Sequence, residues 1–599
     1  MGNEDSFNVC LNGLKQLQNR GYDSAGICSM GKEFINSKYA SSNESALVKL
    51  GQESDKHRNV HLSIGHTRWA THGAKTDANS HPHISTDGLF SLVHNGIIEN
   101  YADLKEMLIA EGYHFSSQTD TEVVVNLISF HYRTSNSVES AIEKAVKSME
   151  GTWGLAIMCK DEPHKIYATR HGSPILVSAN ENMAMITSEQ SGFCNMASNY
   201  IVLENYDICV LEKCGEKVSM VTRNDYAPKK ITQGEISLTP DPYPHWTIKE
   251  IHEQYESSLR AISHGGRLMP NGEVKLDGLN ENLDKLLMLD NIILLGCGTS
   301  YHAGMFGVNY LKEIGGFNCV QLFDGAEFNE RDIPKEGKTG LILLSQSGET
   351  KDLHRCIQIG RDYGLFLIGV VNVKDSLIAR EVDCGCYLNA GREVAVASTK
   401  AYTSQIIILN MIALWFSQKR GIHSKKCENY IRDLRNLHKD IKKTIEICEK
   451  SIDDLLPLFE HHSCFLLGKG QSESIAREGA LKIKEISYIH AEGYSTSSLK
   501  HGPFALLCEN FPVVLIAPNN EHYAKNENAY EEISSRHATI IYISDKEVDK
   551  ENTLKIENNE NFRDFLSIIP LQLLAYKLSL ARGLNPDMPR NLAKVVTVE

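Results

Sequence analysis

The sequence predicts a chain of three folded parts: a mixed α+β domain followed by two α/β doubly wound lobes with parallel sheets. Three observations lead to this prediction. The chain of 599 residues is too long for a single hydrophobic core. Its first 225 residues alternate short β-type runs with helical stretches. The remainder carries strand–turn–helix units that recur at a fixed offset, which indicates an internal duplication.

The composition narrows the class of protein. Hydrophobic residues make up 42% and charged residues 23%, which is typical of a soluble globular chain. The net charge of −14 comes without a basic stripe, so we expect no nucleic-acid partner. No apolar run of the sequence approaches the roughly 20 residues of a membrane span, and no signal peptide is recognised. The 15 cysteines are scattered without CxxC pairs, which predicts reduced thiols, a cytoplasmic location and no metal site. We also expect no cofactor.

The first domain is predicted over residues 1–225. Its strands are expected in LSIGHTRWA, LFSLVHNG, GTWGLAIM and KIYATR, and a helix in TDTEVVVNLISFHY. A polar, proline-rich stretch follows, NDYAPKKITQGEISLTPDPYP, which has no sustained period. We therefore expect a linker over residues 226–245.

The rest of the chain repeats itself. Leu294 of ILLGCG corresponds to Leu466 of FLLGKG, 172 residues later, and the same offset relates Ser345 to Ala517 at the ends of the next strands. Strands followed by turns and helices predict parallel sheets covered on both faces. The sequence thus predicts a first lobe over residues 246–440, a second over 441–587 and a C-terminal tail over 588–599.

Three turns of the first lobe carry hydroxyl groups where strands end. Backbone amides and hydroxyls at a helix N-terminus bind phosphate. Each serine or threonine alone is also explained as a helix cap, but three such turns in one lobe favour a small sugar phosphate. No dinucleotide or ATP motif is present. The candidates in CGTS, SQSGET and VASTK are Thr299, Ser300, Ser345, Gln346, Ser347, Thr350, Val396 and Ser398.

Acid–base chemistry is predicted for EGALKIKEIS, where Glu478, Lys482 and Glu485 share one helical face. A solvated salt-bridge ladder is the ordinary alternative. A carboxylate at a strand end can move a proton between adjacent sugar carbons, and His501 can protonate a ring oxygen unless it is a structural histidine. The amine of Lys594 can add to a carbonyl as a Schiff base, or simply be solvated.

The first domain contains groups that suit an amino-acid substrate. Arg68 of GHTRWATHG can pair with an α-carboxylate, and Asp120 of TDTE can hold an α-ammonium group. The alternative for each residue is a structural role at the end of a strand.

Together these motifs resemble one family, glutamine:fructose-6-phosphate aminotransferase (isomerising). The resemblance covers nearly the whole chain in order, through RGYDSAG, GHTRWATHG, HPH, HNGIIEN, TDTE, KEIHEQ, CGTS, SQSGET, VASTKAYTSQ, EGALKIKEISYIHAE, LKHGP and PRNLAKVVTVE. It implies a class II glutamine amidotransferase domain of the N-terminal-nucleophile type and two sugar isomerase (SIS) lobes. The implied activity makes glucosamine 6-phosphate from fructose 6-phosphate and glutamine, the first step of the hexosamine pathway to UDP-N-acetylglucosamine. A homodimer or higher homo-oligomer is implied as well.

The resemblance also implies roles for residues. The three hydroxyl turns and Ala593 would grip fructose 6-phosphate, Lys594 would form the imine, and Lys482 would lie beside it. Glu485 would shuttle the proton, and His501, from a neighbouring subunit, would assist ring opening. The implied glutamine pocket and oxyanion hole consist of Arg68, Trp69, Thr71, His72, Asn95, Gly96 and Asp120.

The sequence departs from the family where a nucleophilic cysteine should be the first residue. The opening MGNEDSFN holds no such cysteine, and Cys10 has helical spacing and no free amine to act as its base. We expect either that the sequence begins downstream of the cysteine or that glutaminase activity is lost. Ser497 and Ser498 also replace the residues common before LKHGP. The alternatives are an ammonia-dependent synthase, a phosphosugar isomerase and a non-catalytic sugar-phosphate sensor.

Overall fold

The computed structural model describes residues 1–18, 21–42, 44–68, 74–135, 137–231 and 239–594. It divides the chain into two compact units. The first unit comprises Met1–Thr239 together with the tail from Ala593, and the second comprises Pro240–Leu592. Each unit has its own hydrophobic core, so each is described separately.

The first unit is built mainly from strands. The strands are β1 (Ser24–Met30), β2 (Phe34–Ala40), β3 (Ser63–Arg68), β4 (His83–Ile84), β5 (Phe90–Ile98), β6 (Gly151–Cys159), β7 (Lys165–His171), β8 (Leu176–Ala179), β9 (Ala184–Thr187), β10 (Asn199–Val202), β11 (Ile208–Cys214), β12 (Lys217–Val221) and β13 (Lys229–Lys230). The helices are α1 (Ser6–Leu17), α2 (Ala46–Gln52), α3 (Tyr101–Ala110), α4 (Asp120–Ser135) and α5 (Val138–Ser148).

These strands form three sheets. A six-stranded antiparallel sheet has the order β12-β11-β7-β6-β5-β4, a three-stranded sheet the order β2-β1-β3, and a four-stranded sheet the order β13-β10-β8-β9. Alternate residues of β5 face opposite cores: Leu92 packs against α4 and α5, whereas Val93 packs towards the two smaller sheets. The strands predicted in the four quoted segments are β3, β5, β6 and β7, and the predicted helix is α4, so the α+β prediction is confirmed.

The second unit alternates strands and helices. Its helices are α6 (Trp246–His252), α7 (Gln254–Ala261), α8 (Asp277–Asn280), α9 (Leu283–Leu287), α10 (Thr299–Ile314), α11 (Lys351–Asp362), α12 (Leu377–Glu381), α13 (Lys400–Lys419), α14 (Ser424–Cys448), α15 (Gln471–Ser487), α16 (Tyr523–Ser534), α17 (Arg563–Leu566) and α18 (Ile568–Ala581). Its strands are β14 (Asn291–Gly296), β15 (Cys319–Asp324), β16 (Thr339–Ser345), β17 (Phe366–Val371), β18 (Cys384–Tyr387), β19 (Ser463–Gly468), β20 (His490–Ser495), β21 (Pro512–Ile516), β22 (Thr539–Ser544) and β23 (Thr553–Lys555).

The two lobes of this unit have the same topology. One parallel sheet has the order β15-β14-β16-β17-β18, and the other has the order β20-β19-β21-β22-β23. β14 and β19 occupy equivalent places, as do β16 and β21. Helices cover both faces of each sheet, which explains why the central strands are continuous apolar runs. The predicted duplication and the two doubly wound lobes are confirmed.

One core connects the lobes. α10 packs on α13 and α15, and α15 packs on α18. The shared cluster includes Phe306, Trp415 and Leu571, all fully buried. Because α10 and α15 each begin where the first strand of their sheet ends, this packing brings the strand ends of both lobes together.

One helical segment departs from the expectation that no apolar stretch approaches the length of a membrane span. Residues Arg563–Ala581 form a helical stretch of 19 residues that is long and apolar enough to cross a membrane, the one such stretch in the part of the chain that the structure describes. However, 83% of it is buried inside the second lobe. Its apolar character therefore belongs to a core helix rather than to a lipid-facing one.

Candidate functional site

The SQSGET turn lies between β16 and α11, and its hydroxyls bond within the turn. Ser345 Oγ accepts the Gly348 amide at 2.9 Å and bonds Thr350 Oγ1 at 2.9 Å. Ser347 Oγ accepts the Glu349 amide at 3.1 Å. The N-cap of α11 is Thr350, whose side chain makes no cap hydrogen bond, so the two serines do not cap the helix and instead order the turn at the end of β16.

Gly348 makes this turn possible. Its φ is +69°, a left-handed conformation that side chains rarely adopt, and a Cβ there would lie 1.9 Å from Ser376 Oγ. Beside it, the Gln346 carbonyl accepts the Asn372 amide at 3.3 Å. The turn is therefore closed tightly onto the neighbouring segment.

The VASTK turn is organised by Glu393, which is 2% exposed. One carboxylate oxygen accepts Ser398 Oγ at 2.8 Å, and the other accepts the amides of Thr399 and Ala401 at 2.9 and 3.0 Å. Glu393 thus caps the first turn of α13 and fixes the hydroxyl of Ser398.

A second set of contacts supports the same turn from outside. Glu250 of α6 accepts the amides of Val394 and Ala395 at 2.5 and 3.3 Å. The Val396 amide donates to the Asp587 carbonyl at 3.1 Å. The KEIHEQ motif, which contains Glu250, therefore positions a predicted sugar-binding turn.

The third turn, CGTS, begins α10 and meets α15 of the second lobe. Thr299 Oγ1 donates to Glu478 Oε1 at 3.0 Å and accepts from Lys482 Nζ at 3.0 Å. Ser300 Oγ accepts from Gln405 Nε2 at 2.9 Å. The CGTS hydroxyls are therefore tied to neighbouring helices, and Thr299 joins the predicted acid–base segment directly.

The three residues of α15 predicted for acid–base chemistry form a buried cluster. Lys482 Nζ lies 2.6 Å from Glu485 Oε2 and 3.3 Å from Glu478 Oε1. The side chains of Glu478 and Lys482 are 0% and 2% exposed, whereas that of Glu485 is 20% exposed. The solvated ladder considered from the sequence is therefore not what forms, and Glu485 is the member that faces outward.

Electrostatics fixes the charge of this cluster. Burial alone would favour the neutral amine of Lys482, but Glu478 and Glu485 outweigh it and hold its pKa above the usual value. Lys482 is therefore a permanent cation near neutral pH. It suits holding carboxylates in place and does not suit nucleophilic attack.

Further predicted residues lie at the surface of the second lobe and in the tail. His501 is exposed at the end of a 3₁₀ helix, Thr496–His501, in which Ser497 Oγ accepts from Lys469 Nζ at 2.6 Å. Lys594 and Ala593 belong to the tail grouped with the first unit.

In the first unit, a cavity of about 230 Å³ contains most of the predicted glutamine site. Arg68, Asn95, Gly96 and Asp120 line it. Gly96 has a φ of +127°, and a Cβ there would lie 2.2 Å from the Thr152 carbonyl, so only glycine fits. Trp69, Thr71 and His72 lie outside the described residues.

The charged groups of this cavity come from two elements. Arg68 ends β3 and is 5% exposed, and burial lowers the pKa of its guanidinium. Asp120 begins α4, and its Oδ2 accepts the Ile98 amide at 3.0 Å. The cavity therefore offers one buried cation and one buried carboxylate, which matches the two charges of an amino acid.

Histidines surround the same cavity. His66 Nε2 bonds Asn95 Oδ1 at 2.8 Å, and the rings of His66 and His81 stack with centroids 4.3 Å apart. Burial, together with the neighbouring imidazoles, lowers the pKa of His81 and His83 well below the usual value. These two rings are therefore neutral. No group of three or more His, Cys, Asp or Glu suited to a metal ion occurs among the described residues.

Cys10 also lines the cavity, from α1, the helix predicted for it. Burial raises the pKa of its thiol to about 12. A Cβ at Gly65 would lie 2.6 Å from its Sγ, so the thiol is packed against β3. Cys10 is therefore an unreactive thiol in this environment.

Sequence reasoning missed three residues of the sugar-side site. His302 Nδ1 lies 2.8 Å from Glu478 Oε2, Glu393 holds Ser398, and Asp587 holds Val396. A signal existed for His302, which lies three residues after Thr299 and hence on the same face of α10. Glu393 and Asp587 act across long sequence separations or through irregular turns, for which periodicity gives no signal.

The chain is similar to known families and proteins over its full length. Residues 66–195 match the model of a glutamine amidotransferase domain, and residues 285–415 and 457–582 each match the SIS domain. It is 44% identical over 608 residues to an Acanthamoeba polyphaga mimivirus protein named a probable glutamine–fructose-6-phosphate aminotransferase (isomerizing), covering 100% of this chain and 98% of that one. It is 36% identical over 612 residues to the Chlorobaculum tepidum glutamine–fructose-6-phosphate aminotransferase (isomerizing), covering 100% and 99%.

A solved structure agrees with the fold of the second unit. The C-terminal domain of glucosamine-fructose-6-phosphate aminotransferase from Francisella tularensis aligns with a TM-score of 0.54 and 31% identity, covering 59% of this chain and 100% of that one.

Proposed function

Because the chain belongs to the glutamine–fructose-6-phosphate aminotransferase (isomerizing) family, its activity is synthesis of glucosamine 6-phosphate from fructose 6-phosphate and glutamine, and we propose which residues carry it out. This reaction opens the hexosamine pathway. The observation that carries the assignment is the buried cluster of Glu478, Lys482 and Glu485, joined to the hydroxyl of Thr299. We assign residues 1–225 to the amidotransferase domain, 246–440 and 441–587 to the SIS lobes, 226–245 to the linker and 588–599 to the tail.

Fructose 6-phosphate would bind on the first lobe. The SQSGET turn offers hydroxyls and amides at the N-terminus of α11, which suits the phosphate group. Its residues Ser345, Gln346, Ser347 and Thr350 would hold that group, and Val396, Ser398, Thr299 and Ser300, with Ala593, would surround the sugar. The supporting fact is that Glu393 and Glu250 hold the VASTK turn, while the SQSGET turn is held by hydrogen bonds between its own residues, so the donors are preorganised.

The chemistry then follows in balanced steps. The amine of Lys594 adds to the C-2 carbonyl of the open-chain ketose, and water leaves as the imine forms. Ammonia displaces the lysine and gives fructosimine 6-phosphate. Glu485 takes a proton from C-1 and returns it to C-2. The C-1 hydroxyl loses its proton and becomes the aldehyde of glucosamine 6-phosphate, and the imine nitrogen gains one proton and becomes the amine. Lys482 supplies a positive charge beside the Glu485 carboxylate and holds that carboxylate in place.

His501 would protonate the ring oxygen when the sugar opens. It is exposed on the second lobe, whereas Glu478 and Lys482 are buried. An exposed catalytic imidazole suits a role across an interface, and we therefore propose a homodimer as the smallest active unit. We also propose that the enzyme is cytoplasmic, in keeping with its 15 free cysteines.

Glutamine would bind in the cavity of the first unit. Arg68 would pair with its α-carboxylate and Asp120 with its α-ammonium group. The amide of Gly96 and the side chain of Asn95 would stabilise the oxyanion of the tetrahedral intermediate. By the family resemblance, Trp69, Thr71 and His72 would also belong to this pocket.

A second candidate is an ammonia-dependent synthase with the same sugar chemistry. The observation that favours it is Cys10, which lines the cavity with a pKa raised to about 12 by burial. The two candidates are separated by supplying glutamine labelled in its amide, or ammonium chloride, together with fructose 6-phosphate. Labelled product from glutamine supports the full activity, and product from ammonium alone supports the second candidate.

The assignment of Lys594 is tested by borohydride trapping. Incubation with fructose 6-phosphate and borohydride should reduce the imine and add one sugar phosphate to the tail peptide. Lys594→Arg should abolish both the adduct and the product while leaving fructose 6-phosphate binding intact, and Lys577→Arg, at an exposed ion pair of α18, serves as the matched control. Turnover by Lys594→Arg would contradict the imine mechanism.

A further inference from the structure

We propose that His302 is a positioning residue that holds Glu478 across the lobe–lobe contact and thereby keeps Lys482 directed at Glu485. The inference rests on the proposed function, because it assigns Glu485 the proton transfer. It adds a residue that none of the sequence motifs singled out for this role.

The first step concerns the two oxygens of Glu478. Its side chain is fully buried, and Oε1 receives the hydroxyl of Thr299 at 3.0 Å and the amine of Lys482 at 3.3 Å. Oε2 lies 2.8 Å from His302 Nδ1. An ionised carboxylate only accepts hydrogen bonds, so the proton of this contact is on Nδ1. His302 therefore satisfies the carboxylate oxygen that points away from Lys482.

The second step concerns Lys482, which is shared between two carboxylates. Its amine lies 2.6 Å from Glu485 Oε2 and 3.3 Å from Glu478 Oε1. A buried carboxylate that loses a donor recovers the lost interaction from the nearest cation. Without His302, Glu478 would draw Lys482 towards itself, and the amine would leave Glu485. Glu485 would then lose the contact that orients its carboxylate.

The third step concerns where the groups come from. His302 and Thr299 lie on one face of the first turn of α10, whereas Glu478, Lys482 and Glu485 lie on α15. α10 belongs to the first lobe and α15 to the second. Tyr402 of α13, fully buried, also faces the charge of Glu478, and burial together with that charge raises the pKa of its phenol. The Tyr402 hydroxyl has no hydrogen-bond partner among the described residues, so the donor to Oε2 is His302.

The test measures the proton transfer that follows nitrogen transfer. The full-length protein is incubated in D₂O with fructose 6-phosphate and with glutamine and ammonium chloride as nitrogen donors, and deuterium incorporation at carbon gives kcat and KM for the step assigned to Glu485. His302→Leu removes the donor, His302→Ala removes it with a smaller side chain, and His302→Asn keeps a donor that can reach Glu478. Thermal unfolding of each variant shows whether it is folded.

We expect His302→Leu and His302→Ala to lower kcat for exchange about tenfold or more, the equivalent of losing one hydrogen bond to a charged group. KM should change little, and His302→Asn should restore most of kcat. Wild-type kcat in the folded Leu or Ala variant, an Asn variant as slow as these two, or an effect confined to KM would overturn the inference alone. Absence of exchange in the wild-type protein would overturn the proposed function and the inference with it.

Discussion

Asp587 and Thr247 are bonded to each other although they lie 340 residues apart: Asp587 Oδ1 accepts the Thr247 hydroxyl at 2.8 Å and its amide at 2.7 Å. Oδ2 accepts the Trp246 amide at 2.8 Å, and the backbone carbonyl accepts Val396. A single carboxylate thus caps the start of α6 and, through its own backbone, fixes a sugar-binding turn. The segment just before the tail is therefore part of the framework of the sugar site.

We predict that Asp587→Asn destabilises the second unit by about 1–2 kcal/mol, because an amide offers one acceptor oxygen in place of two. The affinity for fructose 6-phosphate should fall as well, since the backbone carbonyl that holds Val396 is fixed less firmly when the side-chain cap is weakened. Urea unfolding and isothermal titration measure the two effects. Asp549→Asn at an exposed position is the control and should change neither. Unchanged stability together with unchanged affinity would show that the cap is dispensable.

We predict that Glu485→Gln lowers the rate of proton exchange during conversion of fructose 6-phosphate and ammonia to glucosamine 6-phosphate by about two to four orders of magnitude, the usual contribution of general acid–base catalysis. The amide keeps the shape of the side chain but cannot accept the proton. Exchange in D₂O measures the effect. Glu473→Gln, on the same helix and paired with Arg477 at its surface, should leave the rate unchanged. Equal rates in both variants would remove Glu485 from the mechanism.

We predict that Gly348→Ala weakens the binding of fructose 6-phosphate about tenfold or more, because a Cβ 1.9 Å from Ser376 Oγ must push the SQSGET turn out of place. Gly364→Ala is a matched control, since its φ of +64° carries the same backbone strain but its Cβ meets nothing within 4 Å. Equilibrium binding measures both variants. Equal losses would mean that backbone strain, rather than the clash, governs the turn.

We predict that the first unit loses stability as the pH falls below about 6.5, by up to ~1.4 kcal/mol per pH unit for each neutral buried imidazole. The folded-state pKa of His81 and His83 is lowered by burial, so the unfolded chain binds their protons first. Stability is therefore fully present above the unfolded pKa and is lost towards the folded one.

Urea titrations across this pH range, read by pulsed hydrogen exchange of β5 and β6, measure that slope. His83→Asn should lower the number of protons taken up on unfolding, which this slope measures, by about one. The exposed His61→Asn should leave it unchanged. A slope that is the same in all three proteins would mean that the imidazoles are not responsible.

Some residues of the candidate site could be predicted from the sequence, and others could not. Glu478, Lys482 and Glu485 were found because spacings of four and three place side chains on one helical face. Their burial was not predictable, because it depends on α10 from another lobe lying over them. Asp587 could not be found at all, since its partners are hundreds of residues away.

The sequence by itself determined the family, the α+β domain, the duplicated parallel lobes and the hydroxyl turns, because periodicity, turn residues and repeated motifs are local properties of the chain. Only the tertiary structure decided that Lys482 is a buried cation shared by two carboxylates, that Cys10 is an unreactive thiol, and that Arg563–Ala581 lies in a core. Burial and charge pairing depend on which elements meet, and a linear pattern does not contain that information.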